Sequence, residues 1–65
     1  MATTYYTLAV RENGVWEAQF GDYDREVVAY EKSDYRDHGY SARDLKIIRT
    51  GDSWDEIDAC LAAMN

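Results

Sequence analysis

The segment YYTLAVRENGVWEAQF, residues 5–20, decides the fold of this chain. It contains two stretches in which apolar and polar side chains alternate, residues 4–11 and 15–20, and such alternation is typical of β-strands with one buried face. Between them, Asn13 and Gly14 tolerate the positive φ angles that a two-residue hairpin turn requires. The sequence therefore predicts an antiparallel β-hairpin.

After the hairpin, the sequence predicts a first helix. Asp22 or Asp24 can cap a helix that runs from about Tyr23 to His38, and Gly39 is a natural residue at its C-terminal end. The apolar positions of this helix form one broad, interrupted stripe, which consists of Val27, Val28, Tyr30 and Tyr35.

A third strand and a second helix complete the chain. Residues 42–50 alternate as a strand that ends at Gly51. Ser53 and Glu56 then match the S-x-x-E capping box at the start of a helix, which we predict over residues 54–64. The apolar side of this helix consists of Trp54, Ile57, Cys60, Leu61 and Met64.

These elements predict a single domain over residues 1–65 with the order ββαβα. A short hairpin makes the first two strands antiparallel, and a right-handed helical crossover brings the third strand beside the first. We expect an α+β fold, a two-layer sandwich whose three-stranded antiparallel sheet has the order 2-1-3 and carries two helices on one face. The predicted core is Tyr6, Leu8, Val10, Trp16, Phe20, Val27, Leu45, Ile47, Trp54, Ile57 and Leu61.

The opposite face of this predicted sheet would be uncovered, and we expect this face or an edge strand to be the interaction surface. Apolar and aromatic side chains on an uncovered face often mark a binding site. The expected contact residues are Tyr5, Thr7, Arg11, Val15, Glu17, Lys46 and Ile48. Ile48 is the unusual member, because it places an aliphatic side chain on the face that should be exposed.

Thirteen acidic and seven basic residues give the chain a net charge of −6. This charge repels nucleic-acid phosphates unless the basic residues are segregated, and here they alternate with acids. The acids cluster near residues 22–26 and 52–58, where they can cap helices or imitate phosphates towards a basic protein. Because no segment is long and apolar enough to span a membrane or act as a secretory signal, we expect a cytoplasmic protein with no membrane partner.

No arrangement of side chains in the sequence indicates catalysis, a cofactor or a metal. His38 stands where a helix end favours a cationic ring, and Cys60 lies on an apolar helix face without a partner base. The acids Asp22, Asp24 and Glu26 resemble the start of a calcium loop but lack its glycine and distal glutamate, so helix capping explains them better. We therefore expect a protein that is not an enzyme.

The segments YYTLAVR, FGDYDREVV and ARDLKIIRT together resemble small bacterial proteins, often of phage or prophage origin, that have no assigned activity. The resemblance implies an accessory protein that acts by binding. We expect a small acidic protein-binding module, an accessory or inhibitor protein, and a homodimer because a core this small needs added stability. The alternative is a nucleic-acid-binding regulatory protein, in which Tyr5 stacks on a base with Arg11 and Lys46 near it.

Overall fold

Three strands and two helices make up residues 3–65, the part of the chain that the computed structural model describes. The fold is α+β and the order is ββαβα, as predicted. The elements are β1 (Thr4–Glu12), β2 (Val15–Asp22), α1 (Arg25–Asp37), a 3₁₀ turn (Ala42–Asp44), β3 (Leu45–Gly51) and α2 (Trp54–Met64). Residues 1 and 2, which the single-domain prediction includes, lie outside the described residues.

The central strand of the sheet is β1, and the order β2-β1-β3 is the predicted one. β1 pairs antiparallel with both neighbours, so β2 and β3 run parallel to each other. The carboxyl ends of β2 and β3 therefore lie at the same end of the sheet. The loops that lead from these strands into α1 and α2 start there, and they position the candidate site.

Element boundaries agree with the sequence at the hairpin and differ at β3. Asn13 and Gly14 have φ angles of 54° and 80°, the left-handed conformation that the predicted turn requires. The strand predicted over 42–50 begins only at Leu45, because Ala42–Asp44 form the 3₁₀ turn. In that turn the amide of Asp44 donates to a carbonyl within the turn segment instead of to a neighbouring strand.

A β-bulge at Gln19 changes which side chains of β2 share a face. Leu8 pairs with Phe20, but the next residue of β1 pairs with Ala18, so Gln19 is an extra residue. One inserted residue reverses the alternation of side chains along a strand. Phe20 therefore lies on the face of Leu8, whereas Trp16 and Ala18 lie on the other face. The prediction that Trp16, Ala18 and Phe20 share one face is wrong.

The two helices pack on opposite faces of the sheet, which corrects the prediction that both lie on one face. The cluster under α1 consists of Leu8, Val10, Val28 and Leu45, with Tyr6, Phe20, Tyr35, Tyr40 and Ile47 packed against it. The cluster under α2 consists of Ala9, Ile48, Ile57 and Leu61, with Tyr5, Trp16, Ala18, Cys60 and Met64 packed against it. Because successive strand residues point to opposite faces, these are two cores separated by the sheet.

Most of the predicted core is confirmed. The fully buried members are Leu8, Val10, Leu45, Ile57 and Leu61, and the partly buried members are Tyr6, Trp16, Phe20 and Ile47. Two predictions are wrong. In α1 the sheet buries Val28 and leaves Val27 exposed, since the neighbouring position points about 100° away around a helix. Trp54 is 71% exposed, because it begins α2 and helical side chains tilt towards the N-terminus, away from the rest of the helix.

Side-chain caps set where both helices begin. Asp24 Oδ1 accepts a 2.9 Å hydrogen bond from the amide of Glu26, so α1 starts at Arg25 and not at Tyr23. Ser53 Oγ accepts a 3.2 Å hydrogen bond from the amide at position 56, which confirms the predicted start of α2. Both caps lie in the loops after β2 and β3, so they fix the backbone around the candidate site.

Candidate binding groove

A groove of about 390 Å³ opens at the end of the sheet where β2 and β3 finish. This volume is within the range of small-ligand sites, roughly 300–1,000 Å³. The groove is lined by β1, β2, the loops after β2 and β3, and the start of α2. Its lining residues include Tyr5, Thr7, Gly21, Tyr23, Asp52 and Trp54. We call this feature the aromatic groove.

Four aromatic residues are among those that line the aromatic groove: Tyr5, Phe20, Tyr23 and Trp54. The rings of Tyr5 and Tyr23 meet edge to face, with centroids 4.9 Å apart and planes at 77°, an arrangement that stabilises aromatic pairs. Tyr5 is half-buried against the α2 cluster, whereas Tyr23 and Trp54 are largely exposed. Large exposed rings gathered in one concave site are typical of interaction surfaces, where Tyr and Trp are enriched.

Gly21 makes room for the Tyr5 ring. A Cβ atom at position 21 would lie 2.7 Å from Cε2 of Tyr5, closer than non-bonded carbon atoms approach. The backbone of Gly21 has no positive φ angle, so the reason for glycine here is space and not backbone conformation. The absence of a side chain at position 21 thus allows Tyr5 to lie across β2 and reach Tyr23.

The hydroxyl of Thr7, a residue that lines the aromatic groove, is buried without a hydrogen-bond partner among the described residues. Thr7 is 2% exposed, lines the groove, and its Oγ1 has no partner among the described residues. A buried hydroxyl left unpaired costs about 1–3 kcal/mol of stability. Valine has nearly the same shape and lacks this cost, so a threonine at this position is unfavourable for folding alone.

One hydrogen bond connects the two loops that border the aromatic groove. Tyr23 Oη donates to Asp52 Oδ2 over 3.1 Å. This hydrogen bond, followed by the negative charge of Asp52, raises the pKa of the Tyr23 phenol above its ordinary value. Tyr23 therefore stays a neutral donor at neutral pH, and Asp52 Oδ1 remains free to accept from another group.

Of the seven expected contact residues, the aromatic groove includes only Tyr5 and Thr7. Ile48 is 4% exposed and packs under α2, which explains its aliphatic side chain on that face. The prediction that Thr7 and Ile48 lie on an uncovered face is wrong, because α2 covers that face and both residues are buried.

The other four expected contact residues lie elsewhere. Val15 and Glu17 pair with Glu12 and Val10, so the bulge places them on the α1 face of the sheet. Lys46 is exposed at the end of the sheet away from the aromatic groove.

Arg11, the fourth of these residues, is engaged within the fold. Its guanidinium lies 2.8 Å from Asp44 and 5.2 Å from the centre of the Trp16 ring. The structure therefore does not bring Arg11, Lys46 and Tyr5 together as a base-binding surface.

The remaining residues that the sequence offered for catalysis or metal binding have structural roles in the fold. His38 follows the end of α1, with Nδ1 2.7 Å from the carbonyl oxygen of Asp34, and Cys60 packs half-buried in the α2 cluster. Asp22 accepts from the amide of Asp24, which itself caps α1. Within residues 3–65, no three acidic, histidine or cysteine side chains are grouped closely enough to hold a metal ion.

Sequence reasoning missed Tyr23, Asp52 and Trp54 as members of one site. Tyr23 was assigned to a helix, Asp52 to a solvent-exposed acidic cluster and Trp54 to the core. One sequence signal could have indicated the site: both loops follow strands that run parallel to each other, and the carboxyl ends of parallel strands gather ligand-binding residues.

Comparisons with known proteins do not place this chain in a family. Protein-family models, curated proteins and solved structures all gave no match. In the described part of the chain, neither helix has the length and apolar character needed to cross a membrane.

Proposed function

We propose that this protein is a binding module that recognises another protein through the aromatic groove. The observation that carries the proposal is the meeting of two exposed rings, Tyr23 and Trp54, with a buried, unpartnered hydroxyl on Thr7 in one concave site. Interfaces concentrate their binding energy in aromatic anchors around a desolvated pocket. The unpaired hydroxyl lowers the stability of the free protein, and the exposed rings leave apolar surface in water that a bound partner would bury.

Binding without catalysis is the second part of the proposal. The titratable side chains that line the groove are Tyr5, Tyr23 and Asp52, while His38 and Cys60 lie elsewhere in the fold. Acid–base or nucleophilic catalysis uses a nucleophile and a base within hydrogen-bond reach of each other. In the Tyr23–Asp52 pair the pKa of the phenol is raised, so less of it is present as the nucleophilic phenolate at neutral pH.

An accessory or inhibitor role, which follows the sequence resemblance, and a cytoplasmic location remain parts of this proposal. The groove favours this role over the nucleic-acid alternative, because the net charge is −6 and Arg11 is already paired with Asp44. Homodimerisation also remains a proposal, but its expected surface is covered by α2. Sedimentation equilibrium at micromolar concentration tests it, and a strict monomer would refute the dimer and leave the groove proposal intact.

Affinity capture from the source organism tests the groove proposal, with Trp54→Ala as the disrupting variant. Tyr30→Ala is the matched control, because Tyr30 is a 75% exposed aromatic residue on α1, on the other side of the sheet. We expect one protein to be retained by the parent and by Tyr30→Ala and lost with Trp54→Ala. Equal retention by both variants would show that the partner binds outside the groove and would refute the proposal.

A further inference from the structure

We infer that the aromatic groove binds an arginine side chain presented by a basic segment of the partner protein. This inference rests on the proposed function and adds the chemistry of the partner. Three properties of the groove support it: the sign of its charge, the rings in its walls and the unpaired hydroxyl buried beneath its lining. Each points to a cationic, planar group with several N–H donors.

The charge around the groove is negative. Asp52 contributes a carboxylate to the lining, and no basic side chain lies among the described residues that line the groove. Asp22, Asp24, Asp55 and Glu56 lie in or next to the two bordering loops, whereas the one basic residue of the described chain in such a position is Arg25, at the start of α1. The N-termini of α1 and α2 are also at this end and contribute a partial charge of only about +0.5 each. The carboxylates outweigh these partial charges, so the groove attracts a cation.

The aromatic walls favour a planar cation. A guanidinium is attracted to the face of a Trp or Tyr ring within about 6 Å and stacks on it better than an ammonium does. The same protein shows this contact where Arg11 lies 5.2 Å from the centre of the Trp16 ring. Trp54 is 71% exposed, so its ring is accessible to a ligand.

Thr7 and Asp52 supply acceptors for the donors of the same guanidinium. Arginine carries five N–H donors and no acceptor. Thr7 Oγ1 is an unpaired acceptor buried beneath the groove lining, so neighbouring side chains must move before a guanidinium reaches it; Asp52 Oδ1 accepts no hydrogen bond from the described residues and lies beside the oxygen that accepts from Tyr23. An arginine that satisfies both acceptors would remove the cost of the buried hydroxyl.

A peptide segment fits the groove better than a free small cation. The groove is open to solvent and runs beside β2, which is an edge strand of the sheet. Its volume of about 390 Å³ accommodates residues that flank the arginine as well as the side chain itself. The overall charge of −6 is complementary to a basic segment and accelerates its association.

Titration with short Gly/Ser peptides tests the inference, each peptide carrying one central guest residue. The guests are arginine, citrulline as its uncharged analogue, lysine and phenylalanine, and binding is followed by backbone NMR shifts. We expect the arginine peptide to shift the amides of the groove, lysine to bind more weakly, and citrulline and phenylalanine not to bind. Binding of citrulline or phenylalanine as tightly as arginine would overturn the inference, as would the absence of any shift.

Variants of residues that line the groove test whether the arginine binds there. Trp54→Ala should lower the affinity for the arginine peptide roughly 2- to 30-fold, and Thr7→Val should lower it roughly tenfold. Each substitution removes one contact with the cation. Tyr30→Ala should leave the affinity unchanged. Equal affinities for the parent, Trp54→Ala and Thr7→Val would show binding through general surface charge and would refute the arginine site.

Two outcomes separate this inference from the proposed function. If affinity capture depends on Trp54 while the arginine peptide does not bind, the protein-binding groove stands and only the arginine chemistry falls. If a single-stranded oligonucleotide shifts the groove amides and the peptides do not, both the inference and the proposed function fall.

Discussion

Tyr23 Oη donates a hydrogen bond to Asp52 Oδ2 over 3.1 Å, and these two residues are far apart in sequence. Tyr23 follows β2 and Asp52 follows β3, so this contact joins the two loops that border the aromatic groove. The Tyr23 ring also meets Tyr5 edge to face, which connects the loops to β1. The side chains in the groove are thus held by contacts between elements that only the tertiary fold brings together.

Alkaline pH should weaken the fold through Tyr23 and Tyr40. The hydrogen bonds that Tyr23 and Tyr40 donate to the carboxylates of Asp52 and Glu12, respectively, raise the pKa of these phenols above the ordinary value, so the fold favours their neutral forms. The resulting stabilisation is present below about pH 10 and is lost as the pH rises through the raised pKa values. Thermal melts across this pH range measure the loss of stability, and phenolate absorbance follows the ionisation of the two tyrosines. Asp52→Asn should bring the Tyr23 pKa closer to its ordinary value, and an unchanged titration curve would contradict this assignment.

Thr7→Val should stabilise the protein. It removes a buried hydroxyl without a partner and keeps the shape of the side chain, so we expect a gain of up to about 1–3 kcal/mol in the free energy of unfolding. Thr50→Val is the matched control in β3, because Thr50 Oγ1 already donates to the carbonyl of Gly51 over 2.7 Å. Urea denaturation measures both, and a destabilised Thr7→Val variant would mean that the hydroxyl is satisfied.

Deletion of Gln19 should abolish folding. Without the extra residue, Trp16 and Ala18 would point to the α1 face and leave the cluster under α2 without two of its packing partners. Gln19→Ala keeps the bulge and should fold normally, because the side chain of Gln19 is exposed. Circular dichroism melts distinguish the two variants. A cooperative melt of the deletion variant near the temperature of the parent would show that the bulge is dispensable.

Trp54→Ala should leave the stability nearly unchanged, within about 0.5 kcal/mol, since its side chain is exposed. Leu8→Ala should cost about 2–5 kcal/mol because Leu8 is fully buried, and a domain of this size has little more stability than that to lose. Thermal unfolding of both variants tests the contrast. Unfolding of Trp54→Ala at ambient temperature would instead support the sequence prediction that Trp54 belongs to the core.

Asn65→Ala should destabilise the free edge of β2. The Asn65 side chain accepts from the amide of Trp16 over 2.7 Å and donates to its carbonyl over 3.2 Å, which occupies backbone groups that a second strand could use. We expect a loss of about 1 kcal/mol and a greater tendency to aggregate. Asn65→Asp keeps the accepting oxygen and should show a smaller effect. Light scattering and thermal melts that do not distinguish Asn65→Ala from the parent would refute this role.

Local sequence signals predicted the elements well because their causes are local. The Asn13-Gly14 turn depends on the φ angles of two neighbouring residues, and the start of α2 depends on Ser53 and a hydrogen bond within one helical turn. The sheet order β2-β1-β3 also followed from the sequence, because a hairpin and one helical crossover leave few arrangements.

What the sequence by itself determined is therefore the order of the elements, their turns and caps, and most of the buried positions. Only the tertiary structure decided which face each side chain occupies, because the bulge at Gln19 reverses the alternation in β2 and leaves no distinct sequence pattern. The placement of α2 on the second face followed from packing against Ala9 and Ile48. The aromatic groove depends on both, since Tyr5, Tyr23 and Trp54 come from separate elements that meet only because β2 and β3, on either side of β1, end at the same end of the sheet.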